Sequence, residues 1–174
     1  NALKVARDWK VRRNFAKGYR SERGHAILHF DHAFHGRSGY CLSLTNTDPT
    51  KTALFPRFDW PRVISPFIQF PMNDAEVSRL EKTEALAIAQ IKHAFDDRRD
   101  DIAAIIIEPI QGEGGDNHFR QSFLQTLRDL ADENEALLIF DEVQTGVGIT
   151  GRMWAHEAIG VVPDLMSFGK KMQV

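Results

Sequence analysis

One cysteine, Cys41, occurs in 174 residues, so no disulfide can close within the chain, and a reducing compartment suits it. Long apolar runs are missing too: none approaches the roughly 20 residues that a membrane-spanning helix needs. There is no excess of charge of one sign, since 22 Lys and Arg stand against 24 Asp and Glu, for a formal net charge of −2. That balance gives no general attraction to nucleic acid or anionic lipid, and the basic run Lys10–Arg13 reads as one solvated helix face. No Gly-Lys-Ser or Gly-Lys-Thr occurs, so the sequence carries no P-loop of its own, and Arg152-Met153 follows Gly146-x4-Gly151 where that motif needs Lys-Ser/Thr. Gly36-Arg37-Ser38-Gly39 likewise departs from the Gly-x-Ser-x-Gly elbow of hydrolases. No signal peptide is visible, and the cytoplasm is the default expectation.

What is present is the patterning of an α/β protein. Ile102–Ile107 and Leu137–Phe140 are unbroken apolar runs, which read as strands buried on both faces; they deliver Glu108 and Asp141-Glu142 to their carboxyl ends. His25–Phe30 reads as a third strand, and Asp164–Phe168 as a fourth that leads to Lys170. Between them, Ala2, Val5, Ala6 and Trp9 mark an amphipathic helix ending near Gly18. Asn73 and Glu76 form a capping-box-like start to a helix whose apolar face runs from Val77 to Phe95. Phe119, Phe123, Leu127 and Leu130 mark a third helix, and Trp154–Glu157 a short fourth. The alternation predicts one domain with a doubly wound, mostly parallel sheet and helices on both faces. Between Thr45 and Pro71, five prolines alternate with Phe55, Phe58, Trp60, Phe67 and Phe70, which predicts a long ordered loop packed as a lid or a dimer contact.

In such a sheet ligands bind beyond the carboxyl ends of the strands, and there the chain places Phe34–Arg37, Glu108, Asp141 and Lys170. A carboxylate and a lysine at one edge fit two needs of pyridoxal phosphate: an amine for its aldehyde and an anion for its ring nitrogen. Apolar residues followed by Asp141-Glu142 are also the Walker B pattern of an ATPase, which leaves a second reading open. His25, His29, His32 and His35 recur at metal-like intervals, but a strand and loop alternate and redirect their side chains, so no metal site is expected. Gly112, Gly114 and Gly115 read as a tight turn in preference to a phosphate cradle.

Four stretches in order resemble the class III, omega-amino-acid aminotransferases of pyridoxal-phosphate fold type I: Ala33-Phe34-His35-Gly36-Arg37-Ser38-Gly39, Glu108 to His118, Phe140 to Gly146, and Asp164 to Lys170. Within the family, Phe55 to Pro61 and Phe168 to Val174 are most similar to members acting on the terminal amine of lysine, with 4-aminobutyrate and ornithine as alternatives. The resemblance implies that Lys170 carries the cofactor and shuttles the proton. It also implies that Asp141 faces the ring nitrogen, Gln144 the phenolic oxygen, and that Phe34 and Val143 flank the ring above the turn at His35. Lys171 is the rival to Lys170. Arg37 is then expected to clamp a substrate carboxylate, Glu113 to pair with an arginine beyond this stretch and yield to a dicarboxylate, and Glu108 to support that network. Implied partners are an omega-amino acid and 2-oxoglutarate, in a homodimer. The chain opens on Asn1 inside a helix and stops just past Lys170, and the resemblance implies an incomplete large domain over 1–174, without the N-terminal segment and small domain. A different reading is that these 174 residues alone catalyse nothing.

Overall fold

Five strands, β1 (Ala26–Phe30), β2 (Arg62–Val63), β3 (Ile102–Ile107), β6 (Leu137–Asp141) and β7 (Leu165–Ser167), pair in parallel in the order β2-β1-β3-β6-β7. The computed structural model describes residues 1–172. Gln173 and Val174, the end of the stretch that resembles lysine-acting proteins, lie outside the described residues. Every residue of β1 and β3 is buried, as the unbroken apolar run of β3 requires. Each buried isoleucine of β3 contributes roughly 1.5–3 kcal/mol, which fixes this strand at the centre of the sheet. Register carries Ile107 opposite Phe140 and Asp141 opposite Ser167, so the residues after β3, β6 and β7 surface along one edge.

Helices cover both faces, as expected. α2 (Asp74–Asp97) connects β2 to β3, and α3 (Gln121–Glu133) connects β3 to β6, so right-handed crossovers put both on one face. Arg120 at the start of α3 reaches the Glu84 carboxylate of α2 at 2.9 and 2.5 Å and ties the two together. Asn73 caps α2 by accepting from the Glu76 amide at 3.0 Å, while the Glu76 carboxylate turns to the Gln69 amide and Arg79. α1 (Ala2–Ala16) packs across β3 and β7 on the other face. Short α4 (Ala155–Ile159) leads into β7.

Two expectations change. The buried stripe of α1 is Leu3, Ala6, Lys10 and Asn14, with Val5 exposed, because the groups facing the helix are main-chain carbonyls that polar side chains can satisfy. Lys10 therefore leaves the solvated face assigned to it and is wholly buried. Second, the proline-rich loop contributes the edge strand β2, where the Pro61 carbonyl accepts from His29 N and the Val63 carbonyl from Asp31 N. Of its rings, Trp60 is buried and stacks on Phe58 at 4.9 Å, whereas Phe55 and Phe70 are exposed. The glycine-rich turn stands as expected, and it forms the tip of a small hairpin, β4 (Ile110–Gln111) against β5 (Asn117–His118). No helix among the described residues is long and apolar enough to cross a membrane.

Candidate functional site

A cavity of about 210 Å³ opens at the carboxyl edge of the sheet, lined by Phe34, His35, Gly36, Glu108, Glu113, Asp141, Val143, Gln144 and Lys170. All the residues that the sequence placed at the site lie here except Arg37, which is exposed and outside the lining. A larger cleft around Arg57, Phe58 and Arg62 lies at the β2 edge, away from these groups.

Asp141 ends β6 and is held twice. His35 Nδ1 lies 2.7 Å from its Oδ2, and the Val143 amide donates to its Oδ1 at 3.2 Å. The His35 backbone is fixed in turn, its amide donating to Thr45 Oγ1 at 2.9 Å while that hydroxyl donates to the Gly36 carbonyl at 2.6 Å. The side chains of His35 and Asp141 are nearly buried, and His35 Nε2 has no partner. Glu108, the first residue past β3, accepts from the Phe34 amide at 3.0 Å and the Gly112 amide at 3.4 Å. Burial pushes its carboxyl above the usual range, against the pull of those amides and of His35. One carboxylate thus braces two loops that meet at the cavity.

Those loops touch closely. A Cβ on Gly114 would fall 2.0 Å from the His32 carbonyl oxygen, so glycine is required at this crossing of main chain on main chain. The Gln111 side chain adds a bond to the Asp31 carbonyl at 2.7 Å. Glu113, on the hairpin tip, pairs with Lys51 and accepts from Thr47 Oγ1 at 3.3 Å. Lys51 lies in the 3-10 turn Pro49–Lys51, and sequence reasoning missed it, because a lone lysine among prolines gives no signal of what it faces.

Lys170 opens the 3-10 turn Lys170–Met172 at φ 45°, a left-handed conformation that non-glycine residues adopt at a cost and that clusters at functional positions. The choice between the lysines thus rests on a turn, where an extended segment with alternating faces was expected. Lys170 lines the cavity, whereas Lys171 Nζ donates to the Gln144 carbonyl.

Two other readings meet the structure here. Glu142 is buried and accepts from the Ala155 amide at 2.6 Å, the His156 amide at 3.0 Å and Thr145 Oγ1 at 3.4 Å. Its carboxylate is consumed in capping α4, so Glu142 is not free for the second acid of a Walker B pattern. The four histidines separate: His25 meets Arg7, His32 packs edge-on to Phe67, His35 faces Asp141, and buried His29 is pushed down to about 3 by desolvation and then by Arg62. No metal-binding cluster occurs among the described residues.

The donor set fits pyridoxal phosphate. The cavity holds an anion, Asp141, of the kind a pyridinium nitrogen needs, a primary amine, Lys170, of the kind an aldehyde needs, and the apolar surface of Phe34 and Val143. A parallel sheet presenting these groups to one cavity has the architecture of the pyridoxal-phosphate-dependent transferases. The Aminotransferase class-III family model matches residues 1–173, and the chain belongs to the class-III aminotransferase family. It is 54% identical over 174 residues to the L-lysine-epsilon aminotransferase of Mycobacterium tuberculosis (strain ATCC 25618 / H37Rv), covering all of this chain and 38% of that protein. The 4-aminobutyrate aminotransferase of Saccharomyces cerevisiae is 43% identical over 151 residues, 85% of this chain and 32% of that one. Among solved structures, lysine aminotransferase from M. tuberculosis in the internal aldimine form superposes with a TM-score of 0.95 at 53% identity, over 99% of this chain and 39% of that one. The chain therefore spans about two fifths of the length of these lysine-acting relatives.

Proposed function

We propose that this chain holds the cofactor of a pyridoxal-phosphate-dependent aminotransferase. The enzyme moves the terminal amine of an omega-amino acid, L-lysine first, to 2-oxoglutarate, giving an aldehyde and glutamate. The observation that carries this reading is the meeting of Asp141, braced by His35, with Lys170 on one cavity. Similarity along the whole chain to lysine-acting proteins supports lysine over 4-aminobutyrate, since identity to the latter is lower and covers less.

Bound here, pyridoxal phosphate supplies an aldehyde for the amine and an electron sink for the carbon that bears it. Lys170 would hold the cofactor through its amine, and that amine would serve as the base that moves a proton at the substrate carbon. Asp141 keeps a proton on the ring nitrogen, and His35 holds the Asp141 carboxylate in place for this. Gln144 would hydrogen-bond the phenolic oxygen, and Phe34 and Val143 would hold the ring by apolar contact. Glu108 keeps the Phe34 turn and the hairpin in register, and Glu113 meets the substrate. Residues 1–174 act as part of the large cofactor-binding domain, in the cytoplasm, with a homodimer as the expected assembly. A second reading concerns the 174 residues alone: since they span 38% of a lysine-acting relative, the isolated chain is proposed to be inactive.

A visible spectrum of the enzyme containing this chain, with and without borohydride, tests the first reading. A yellow species that bleaches and is trapped on Lys170 supports it, and comparing glutamate formed from L-lysine and from 4-aminobutyrate names the donor. A protein that stays colourless when pyridoxal phosphate is added would discard it. Turnover by the isolated chain would sink the second reading.

A further inference from the structure

A second cleft, of about 650 Å³, lies at the β2 edge, between the loop that leads into that strand and the end of α2. Its size falls in the range of small-molecule sites. The aminotransferase reading gives it no task, and none of its lining residues borders the cofactor cavity. The guanidinium groups of Arg57, Arg62 and Arg98 line it against one carboxylate, Asp59. That carboxylate does little to cancel them. Asp59 is fully exposed and meets Arg98 at 3.3 Å, a contact that solvent screens. Arg57 and Arg62 make no ion pair among the described residues.

Arg62 is also held in place. Its Nε donates to His29 Nε2 at 3.2 Å, so Nδ1 of that ring carries the proton and donates to the Ile27 carbonyl at 3.3 Å. Burial keeps His29 neutral, and the partner of Arg62 is therefore an acceptor without charge. The histidine orients the guanidinium and leaves its positive charge whole. A charge fixed and unneutralised at the wall of a cleft suits an incoming anion, and guanidinium groups match the planar spread of phosphate and carboxylate oxygens. Beside these charges stands flat apolar surface. Trp60 is buried against Phe58, with the rings 4.9 Å apart and 10° from parallel, and the Phe58 amide donates to Ser43 Oγ at 2.9 Å. Phe55 and Phe58 are 54% and 50% exposed, which leaves ring surface for a flat ligand to stack on.

From this pairing of unneutralised arginines with half-exposed rings, we propose that the cleft at the β2 edge is a second binding site, for a nucleoside phosphate. The phosphates rest on Arg57, Arg62 and Arg98, and the base lies against Phe55 and Phe58. No covalent bond is made or broken. The inference stands apart from the aminotransferase reading, because the cleft shares no residue with the cofactor cavity.

The test is calorimetry on the intact enzyme that contains this chain, loaded with pyridoxal phosphate and titrated with ADP and with inorganic pyrophosphate. ADP is expected to bind about tenfold more tightly than pyrophosphate, because its base adds stacking. Arg57→Gln, on an exposed side chain, and Arg62→Gln should each raise both dissociation constants about tenfold, the size of effect that follows loss of one hydrogen bond to a charged group. Phe58→Leu should raise the Kd for ADP about tenfold and leave that for pyrophosphate within about twofold. Cooperative thermal unfolding of each variant shows that a change in affinity is not a loss of fold. Absence of ADP binding to the unaltered enzyme overturns the inference. So does pyrophosphate that binds as tightly as ADP, or an ADP affinity that Arg57→Gln and Arg62→Gln both leave unchanged.

Discussion

The two ends of one parallel sheet bury charge for opposite purposes. At the amino ends of the strands, Lys10 Nζ donates to the Glu135 carbonyl at 2.7 Å and the Asn134 carbonyl at 3.3 Å, with Asp100 at 3.9 Å. Asn14 donates to the carbonyls of Arg23 and Asp100, and Asp101 accepts from the amides of Gly24 and His25. Those polar groups bind main chain to main chain and tie α1 to the turns before β1, β3 and β6. At the carboxyl ends the side chains bond to loops on one side and line a cavity on the other, as Glu108 and Asp141 do. The same residue types thus build a joint at one end and a site at the other. What separates them is whether the side chains bond main chain on both sides or line a cavity on one.

The sharpest way to break this contrast is at the carboxyl end. In the enzyme containing this chain, Lys170→Ala is expected to abolish the bound-cofactor absorbance and lower turnover by about a thousandfold or more, while Lys171→Ala keeps both. The reverse result would move the anchor to Lys171. At the amino end, Lys10→Met should change stability and its pH dependence without touching cofactor affinity. Burial lowers the Lys10 ammonium from the usual 10.5 to about 8, against the pull of Asp100. Below pH 8 it is charged in both states and folding carries its desolvation. Between pH 8 and 10.5 the unfolded chain binds more protons than the native one, so this group makes stability rise with pH, by up to about 3 kcal/mol. Urea unfolding at about pH 7.5 and about pH 10 checks this: Lys10→Met should lose that rise, and an identical slope in both proteins would count against it.

A smaller effect is expected for His35→Ala. Removing one partner of the Asp141 contact costs about 1.5–3 kcal/mol, so the cofactor Kd, read by absorbance titration, should rise at least tenfold while the melting temperature moves little. A large fall in melting temperature with unchanged Kd would make His35 part of the fold's joints. Smallest is Glu108→Gln, which keeps an acceptor for the Phe34 amide and removes a carboxyl that burial already disfavours; calorimetric stability should stay within about 1 kcal/mol.

Legibility follows the physics of burial. β3 and β6 can be read directly because strands buried on both faces must be apolar throughout, and Glu108 and Asp141 then stand out where the runs stop. β2 and the β4–β5 hairpin are built from strands two residues long that exist only through their partners, so no local pattern announces them. The stripe of α1 defeats a local reading because Lys10 and Asn14 bond carbonyls that include ones 86 and 125 residues away. The same holds for Lys51, which lies 62 residues from Glu113 in sequence. Arg37 carries the right chemistry, but the fold leaves it exposed.

The crossing of Gly114 over the His32 carbonyl has a consequence for redesign. Beside it, the bond from Gln111 to the Asp31 carbonyl joins positions 80 residues apart, so the loop that bears Phe34 and His35 and the hairpin that bears Glu113 form one mechanical part. Lengthening either loop to admit a bulkier donor would displace the other along with it. Room for new substrates has to come from exchanging side chains on this rigid frame, at Glu113, Lys51 and Gln144, with the main chain left as it is.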